Sequence, residues 1–170
     1  MPGSQAVYGV LGLDPGIRVT GYAVVRQTAA GIHLVEAGLV RPAGRSLSER
    51  LGDLFQDIQH LIHQHRPQAL AIESLYAHYA HPRTAILMGH ARGCLLLAAA
   101  LASIPVYAYS ATHIKRLITG HGRADKEQIQ RVIQEELALA SRLQPHDVAD
   151  AVAVALCHCY THGRGIGTPE

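Results

Sequence analysis

The feature that most constrains this chain is an apolar segment, residues 7–14, that ends in a carboxylate, Asp14. Its hydrophobic residues predict a strand in the middle of a sheet. The turn-forming residues Pro15 and Gly16 then end the strand. A carboxylate at the end of a buried strand is unusual, because burial of an unpaired charge is costly. A bound cation would offset that cost.

Beyond this strand, the hydrophobic periodicity predicts an α/β fold. Further strands are expected at residues 20–27, 32–40, 69–73 and 104–109. Helices are expected after Ser46, which forms a capping box with Glu49, and at residues 82–103, 111–119, 126–139 and 145–160. Short connections make the first three strands an antiparallel meander. Together these elements predict a five-stranded mixed sheet with helices on both faces.

The length of 170 residues suits one domain that spans residues 1–170. With 48% hydrophobic and 16% charged residues, the chain can bury a core and is not a disordered protein. Only the two ends, residues 1–5 and 161–170, are rich in glycine, proline and small polar residues. We expect these ends to lack regular structure.

The three cysteines, Cys94, Cys157 and Cys159, cannot all pair and have no zinc-finger spacing. Cys157 and Cys159 continue a helical pattern in which neighbours point in different directions, so we expect buried free thiols in a reducing cytosol. The start of the chain lacks a basic region followed by an apolar stretch. The expected localisation is cytoplasmic, without a membrane partner.

The distribution of charge is more informative than its sum, which is only +2. Residues 76–131 contain seven Lys and Arg residues and two acidic residues, a net charge of +5. A basic middle segment suits the approach of a polyanion to one face. Ordinary surface charge is an equally good interpretation of this feature alone.

Four carboxylates occupy the ends of predicted elements. Asp14 and Glu73 end the first and fourth strands, where open α/β sheets assemble their sites. Asp147 and Asp150 follow Pro145 at a spacing that places both on one helix face. Either aspartate taken alone is more typical of a helix cap. The four together can hold two Mg²⁺ ions about 4 Å apart, as in two-metal nucleases.

This donor set predicts metal-dependent hydrolysis without a side-chain nucleophile. One ion would acidify a water molecule, and the other would stabilise a departing 3′ oxygen. Three alternatives stay open on the residues alone. Asp14 and Gly16, with Gly21 and Ala23, also resemble the phosphate loop of actin- and hexokinase-like ATPases, although those proteins need two such domains. The others are ribonuclease H itself or a relative that acts on RNA, and a non-catalytic junction-binding or structural protein.

Four segments in order, Val10 to Ala23, Ala71 to Ser74, Gly89 to Gly93 and His146 to Ala151, resemble the signature segments of the RuvC family of Holliday junction resolvases. The resemblance implies a ribonuclease-H-like fold and paired, symmetric cleavage of four-way DNA junctions in recombination and repair. It implies 5′-phosphate and 3′-hydroxyl products and two Mg²⁺ ions per site, for which Mn²⁺ can substitute. It also implies a homodimer and the partners RuvA and RuvB. Its catalytic and metal-binding residues match Asp14, Glu73, Asp147 and Asp150.

Six further residues are predicted to bind DNA: Tyr76, Arg83, Lys115, Arg116, Arg123 and Lys126. By the resemblance, Tyr76 takes the place of an aromatic residue, usually Phe, that stacks on an opened base. The alternative is a core tyrosine near the strand end. Lys115 and Lys126 match two basic positions near the scissile phosphate. His146 adjoins Asp147 and could orient a water or a phosphate, but no histidine is expected to be an essential metal ligand.

The helix that begins at Pro82 is a candidate dimer interface. One chain offers one site, and paired cleavage needs two chains related by a two-fold axis. The helix is apolar on more than one side and has small residues that permit close approach. These residues are Ile86, Leu87, Met88, Leu95, Leu96, Leu97 and Leu101, with Gly89, Ala91 and Gly93. The alternative is a core helix within a single chain.

Overall fold

The computed structural model describes residues 7–75 and 82–162. Its strands are β1 (Tyr8–Asp14), β2 (Thr20–Thr28), β3 (Gly31–Val40), β4 (Ala69–Glu73) and β5 (Val106–Tyr109). Its helices are α1 (Leu47–His65), α2 (Pro82–Leu101), α3 (Ala111–Thr119), α4 (Lys126–Glu136) and α5 (His146–His162). The predicted ends at residues 1–5 and 163–170 lie outside the described residues. Thr161 and His162 continue α5, so the prediction of irregular structure there was wrong.

The strands form one sheet in the order β3-β2-β1-β4-β5. β1 pairs antiparallel with β2 and parallel with β4, and β4 pairs parallel with β5. β2 and β3 are antiparallel. The predicted mixed sheet with its antiparallel meander is therefore confirmed. Because β1 and β4 run in the same direction, their carboxyl ends meet at one edge of the sheet.

Helices cover both faces of the sheet, as predicted. On β1, Val10 packs with α3, α4 and α5, whereas Leu11 and Leu13 pack with α1 and α2. All three side chains are almost fully buried. This alternation follows from the strand geometry, in which successive side chains point to opposite faces.

The helix ends agree with the sequence where local capping decides them. The Ser46 hydroxyl accepts from the backbone N–H of Glu49, and the Glu49 carboxylate accepts from that of Ser46, so the predicted capping box is confirmed. The predicted end of α4 at residue 139 was wrong, because the helix ends at Glu136. Leu137 and Leu139 still pack against the core, so their apolar spacing imitated a longer helix.

Other boundaries differ by two residues. α2 ends at Leu101 instead of residue 103, where Ser103 adopts a positive φ of 57°. β5 begins at Val106 instead of residue 104. The carbonyl of Pro105 still accepts a hydrogen bond from the backbone N–H of Leu70, at 3.0 Å. The chain therefore reaches the sheet edge one residue before the regular strand begins.

Two glycines allow α5 to lie directly on the backbone of β1 and β2. A Cβ at Gly12 would collide with the carbonyl oxygen of Ala151, and a Cβ at Gly21 would collide with that of Asp147. Gly21 is also the partner of Asp14 in the β1–β2 pair. The close approach therefore brings the first turn of α5 next to the end of β1.

Candidate active site

The four predicted acids meet at the sheet edge where β1 and β4 end. An open cleft of about 510 Å³ is lined by Asp14, Asp147 and Asp150, together with Lys126. A cavity of about 80 Å³ is lined by Asp14 and Glu73. A third hollow, of about 50 Å³, is lined by Glu73 and Asp150. Asp14, Glu73 and Asp150 each line two of these three spaces, so the four carboxylates surround one connected region.

Burial and neighbouring acids raise the pKa of three of the carboxyl groups at the site, those of Asp14, Glu73 and Asp150. Burial raises the pKa of Asp14 to about 7, with further contributions from Asp150, Asp147 and Glu73. Burial and then the charge of Asp150 raise the pKa of Glu73. Burial also raises the pKa of Asp150. Like charges in a half-buried site disfavour full ionisation of the group.

Two lysines border the acids. The Lys126 ammonium lies 3.7 Å from a carboxylate oxygen of Asp150, and the Lys126 side chain is 65% exposed. Lys115 lines the hollow between Glu73 and Asp150, and its charge opposes the rise in the pKa of Glu73. Both lysines predicted to lie near a scissile phosphate are therefore at the acidic site.

The other predicted DNA-binding residues lie farther out. Arg116 and Arg123 are exposed on α3 and on the connection from α3 to α4, and Arg83 is exposed in the first turn of α2. Tyr76 lies outside the described residues. His146 is exposed, and its Nδ1 accepts a hydrogen bond from Gln130 Nε2 at 3.0 Å.

The donor set fits divalent cations of the hard, oxygen-binding type. The four side chains offer carboxylate oxygens alone, which are the ligands that Mg²⁺ prefers. Burial and then the neighbouring carboxylates raise the pKa of Asp14, and the charge of Lys126 only partly opposes this rise. In residues 7–75 and 82–162, no three acidic, histidine or cysteine side chains already form a cage for a metal ion.

Comparison with known proteins gives the family. The family model described as crossover junction endodeoxyribonuclease RuvC matches residues 10–158. The chain belongs to the RuvC family. The RuvC of Rhodopirellula baltica is 44% identical over 160 residues, which cover 94% of this chain and 89% of that protein. The RuvC of Rubrobacter xylanophilus is 40% identical over 175 residues, which cover 100% of this chain and 97% of that protein.

A solved structure of the RuvC family shows the same fold. Thermus thermophilus RuvC in complex with a Holliday junction substrate superimposes with a TM-score of 0.89 at 32% identity. The match covers 96% of this chain and 99% of that one. The predicted ribonuclease-H-like fold is therefore confirmed.

Two arginines at the site of this RuvC-family chain were given no role by sequence reasoning. Arg92 Nη1 donates to the backbone carbonyl of Glu73 at 2.7 Å and lines the cavity between Asp14 and Glu73. Arg18 lines the open cleft. Arg92 lies in the segment Gly89 to Gly93 and Arg18 in the segment Val10 to Ala23, and both segments carry the family resemblance. Their place in these segments is the sequence feature that could have identified them as site residues.

Proposed function

We propose that this chain is a structure-selective DNA endonuclease that resolves Holliday junctions in recombination and repair. It would do so by paired, symmetric hydrolysis of phosphodiester bonds. The observation that carries the proposal is the convergence of four carboxylates at one sheet edge of a RuvC-family chain. A RuvC of the same fold has been solved on a Holliday junction substrate. These facts favour a nuclease over a nucleotide-binding or purely structural domain.

Asp14, Glu73, Asp147 and Asp150 would hold two Mg²⁺ ions, for which Mn²⁺ would substitute. When bound, these ions would acidify a water molecule, activate the scissile phosphate and stabilise the departing 3′ oxygen. The products are then a 5′-phosphate and a 3′-hydroxyl. The all-oxygen donor set and the grouping of Asp150, Asp147 and Glu73 around the half-buried Asp14 support this assignment.

The protein's own cations would hold the DNA strand. Lys115 and Lys126 border the acids and would bind the oxygens of the phosphate at the site. Arg83, Arg116 and Arg123 are exposed and would contact phosphates farther along the backbone. Tyr76 follows the acidic strand end closely in sequence and would stack on an opened base.

The outer face of α2 supports a homodimer. Ile86, Leu97 and Leu101 recur on one side of the helix and are 61%, 53% and 65% exposed. A Cβ added at Gly93 would meet open space, so a second backbone can approach closely there. An exposed apolar patch on one side of a helix is typical of a protein–protein interface. Ala91 and Leu95 were assigned to the interface by sequence, but they pack in this chain's own core.

By length and composition alone, α2 could also cross a membrane. Its inner face packs with α1 and the sheet, which is the arrangement of a helix in a globular core. We therefore assign its outer face to a second copy of the chain, placed so that two active sites address two strands of one junction.

The compartment and the partner proteins of this chain are also proposed. We place the protein in the cytoplasm, and its three free cysteines suit a reducing compartment. We also propose that it acts with the RuvA–RuvB branch-migration complex, on family membership alone.

The test is cleavage of a synthetic four-way junction in Mg²⁺. We expect paired nicks at symmetric positions that DNA ligase can reseal, and no cutting of a linear duplex of the same sequence. Asp14→Asn should bind the junction while cutting at least about a hundredfold more slowly, because a lost ligand impairs the metal site. Asp57→Asn, an exposed change on α1, is the matched control and should cut normally. Equal cutting of junction and duplex would contradict the proposal.

A further inference from the structure

The turn between β1 and β2 is held in one conformation. The backbone N–H of Gly16 donates to Thr20 Oγ1 at 3.2 Å, and the Thr20 hydroxyl donates to the Gly16 carbonyl at 2.8 Å. Thr20 is fully buried and Ile17 is 8% exposed. A Cβ at Gly16 would collide with the carbonyl of Val19, so the turn needs glycine at this position. Arg18 is the exposed side chain of this turn, and it is presented from a hydrogen-bonded backbone.

Arg18 is exposed and lines the same open cleft as Asp14, Asp147 and Asp150. Across the described parts of the chain, its guanidinium takes part in no ion pair or side-chain hydrogen bond. A guanidinium carries five N–H donors and no acceptor. A fixed turn thus presents an unpaired cation at the mouth of the acidic cleft.

The cleft carries positive side chains from two elements that are distant in sequence. Lys126 begins α4 and pairs with Asp150, so part of its charge is used to offset the acids. Its charge also opposes part of the rise in the pKa of Asp14. Arg18 comes from the β1–β2 turn and has no such carboxylate partner. Its charge is therefore available to an anionic substrate.

We propose that Arg18 binds a backbone phosphate of the cleaved strand, next to the phosphate held at the acids. This inference rests on the proposed junction nuclease. Arginine suits the task because its planar fork can bind two phosphate oxygens at once. Lys126 on α4 and Arg18 on the turn then bind the DNA strand from two different elements. Together they fix the position of the strand relative to the carboxylates.

The test measures junction binding and cleavage by the full chain. In an Asp14→Asn background, in which cleavage is slowed at least about a hundredfold, Arg18→Ala should weaken binding about 5- to 20-fold at moderate salt. The slope of log affinity against log salt should fall by about 1, the effect of one lost phosphate contact. With Asp14 intact, the apparent KM for the junction should rise more than kcat falls. Arg18→Lys should retain the salt slope and lose part of the affinity.

Arg26→Ala is the matched control, because Arg26 is exposed on β2 opposite Gly9, at the other end of the sheet from Asp14. It should leave affinity, salt slope and cleavage unchanged. An Arg18→Ala protein with the salt slope of the Arg26→Ala protein overturns the assignment. So does a lower unfolding temperature with unchanged binding, which would make Arg18 a structural residue. Failure of the otherwise unchanged chain to cut junctions would instead overturn the proposed function.

Discussion

At the scale of single residues, Asp14 lies at the acidic site, and its ionisation lowers the stability of the folded protein. Burial and the nearby carboxylates raise its pKa from 3.8 to about 7. A folded-state pKa above the unfolded value means that folding favours the protonated acid. This contribution to stability is complete below pH 3.8 and is lost as the pH rises through about 7.

We therefore expect Asp14→Asn to stabilise the metal-free protein at pH 7 and above, by an amount on the order of 1–2 kcal/mol. The reason is that the amide carries no charge to bury. Urea unfolding in EDTA from pH 4 to 8 would measure it, and the difference between the two proteins should grow with pH. Asp57→Asn serves as the control. A less stable Asp14→Asn protein at pH 8 would contradict the account of the site.

His158 is a second residue whose environment decides its charge. It is 1% exposed, and its two ring nitrogens are hydrogen-bonded to the hydroxyls of Tyr8, at 3.0 Å, and Tyr109, at 2.8 Å. Burial, together with the nearby His162, lowers the pKa of His158 from 6.5 to about 4. A lowered histidine pKa gives stability that is complete above pH 6.5 and is lost as the pH falls to about 4.

The imidazole of His158 should consequently stay neutral in the folded protein until the pH approaches 4. Its carbon-bound ring protons can be followed by NMR titration from pH 8 to 4. The free energy of unfolding should fall over the same range, because the unfolded chain takes up the proton first. An imidazole that gains its proton near pH 6.5 would show that the ring is not sealed between the two tyrosines.

The sequence reveals residues at the ends of elements more readily than residues that act through distant contacts. Asp14 and Glu73 could be singled out because each ends an apolar strand. Arg92 contacts the Glu73 carbonyl across 19 residues of sequence, and His158 contacts Tyr8 across 150. No local pattern predicts such pairs, because they depend on how helices pack on the sheet.

At the scale of elements, the packing of α5 on the sheet sets the geometry of the site. Most elements were predictable because their hydrophobic periods are regular and their ends carry capping or turn residues. The close approach of α5 was not, since the glycines that permit it have no side-chain signal. Gly21 is the critical one, because it faces the backbone of Asp147.

We expect Gly21→Ala to displace the first turn of α5 and to slow cleavage by at least about tenfold, because small displacements of catalytic groups are costly. The free energy of unfolding should fall by about 1–3 kcal/mol. Cleavage rates and thermal unfolding would measure both effects.

Gly52→Ala is the matched control. Gly52 is exposed on α1, where an added Cβ meets nothing within 4 Å. This change should leave cleavage intact and raise stability by about 0.5–1 kcal/mol, since alanine favours helices. A Gly21→Ala protein that cuts at the unchanged rate would show that α5 need not lie so close to β2.

At the scale of the whole molecule, the proposed activity needs two chains. The sequence identified α2 as apolar on more than one side, but only the structure separates its inner face from its exposed one. The reason is that helical spacing alone does not say which stripe meets the chain's own core. Ile86, Leu97 and Leu101 remain exposed, whereas Ala91 and Leu95 are fully buried.

Leu97→Asp should convert the proposed dimer into a monomer, because a charge would be buried in an apolar interface. Sedimentation at micromolar concentration would measure this, and junctions should then receive single nicks in place of paired cuts. The control is Leu47→Asp, which alters a 38% exposed leucine on α1 and should remain dimeric. If the Leu97→Asp protein is still dimeric, the dimer interface does not lie on the outer face of α2.

The central claim is that Asp14, Glu73, Asp147 and Asp150 act as one catalytic unit. The most direct test is the single-turnover cleavage rate of a saturating four-way junction in Mg²⁺ by each Asn or Gln variant and by the double variant of Asp14 and Glu73. We predict that each single change slows cleavage at least about a hundredfold and that the double change is scarcely worse than either single one, because groups that act together are not additive. Near-normal cleavage by any single variant, or independent losses that multiply in the double variant, would contradict the account.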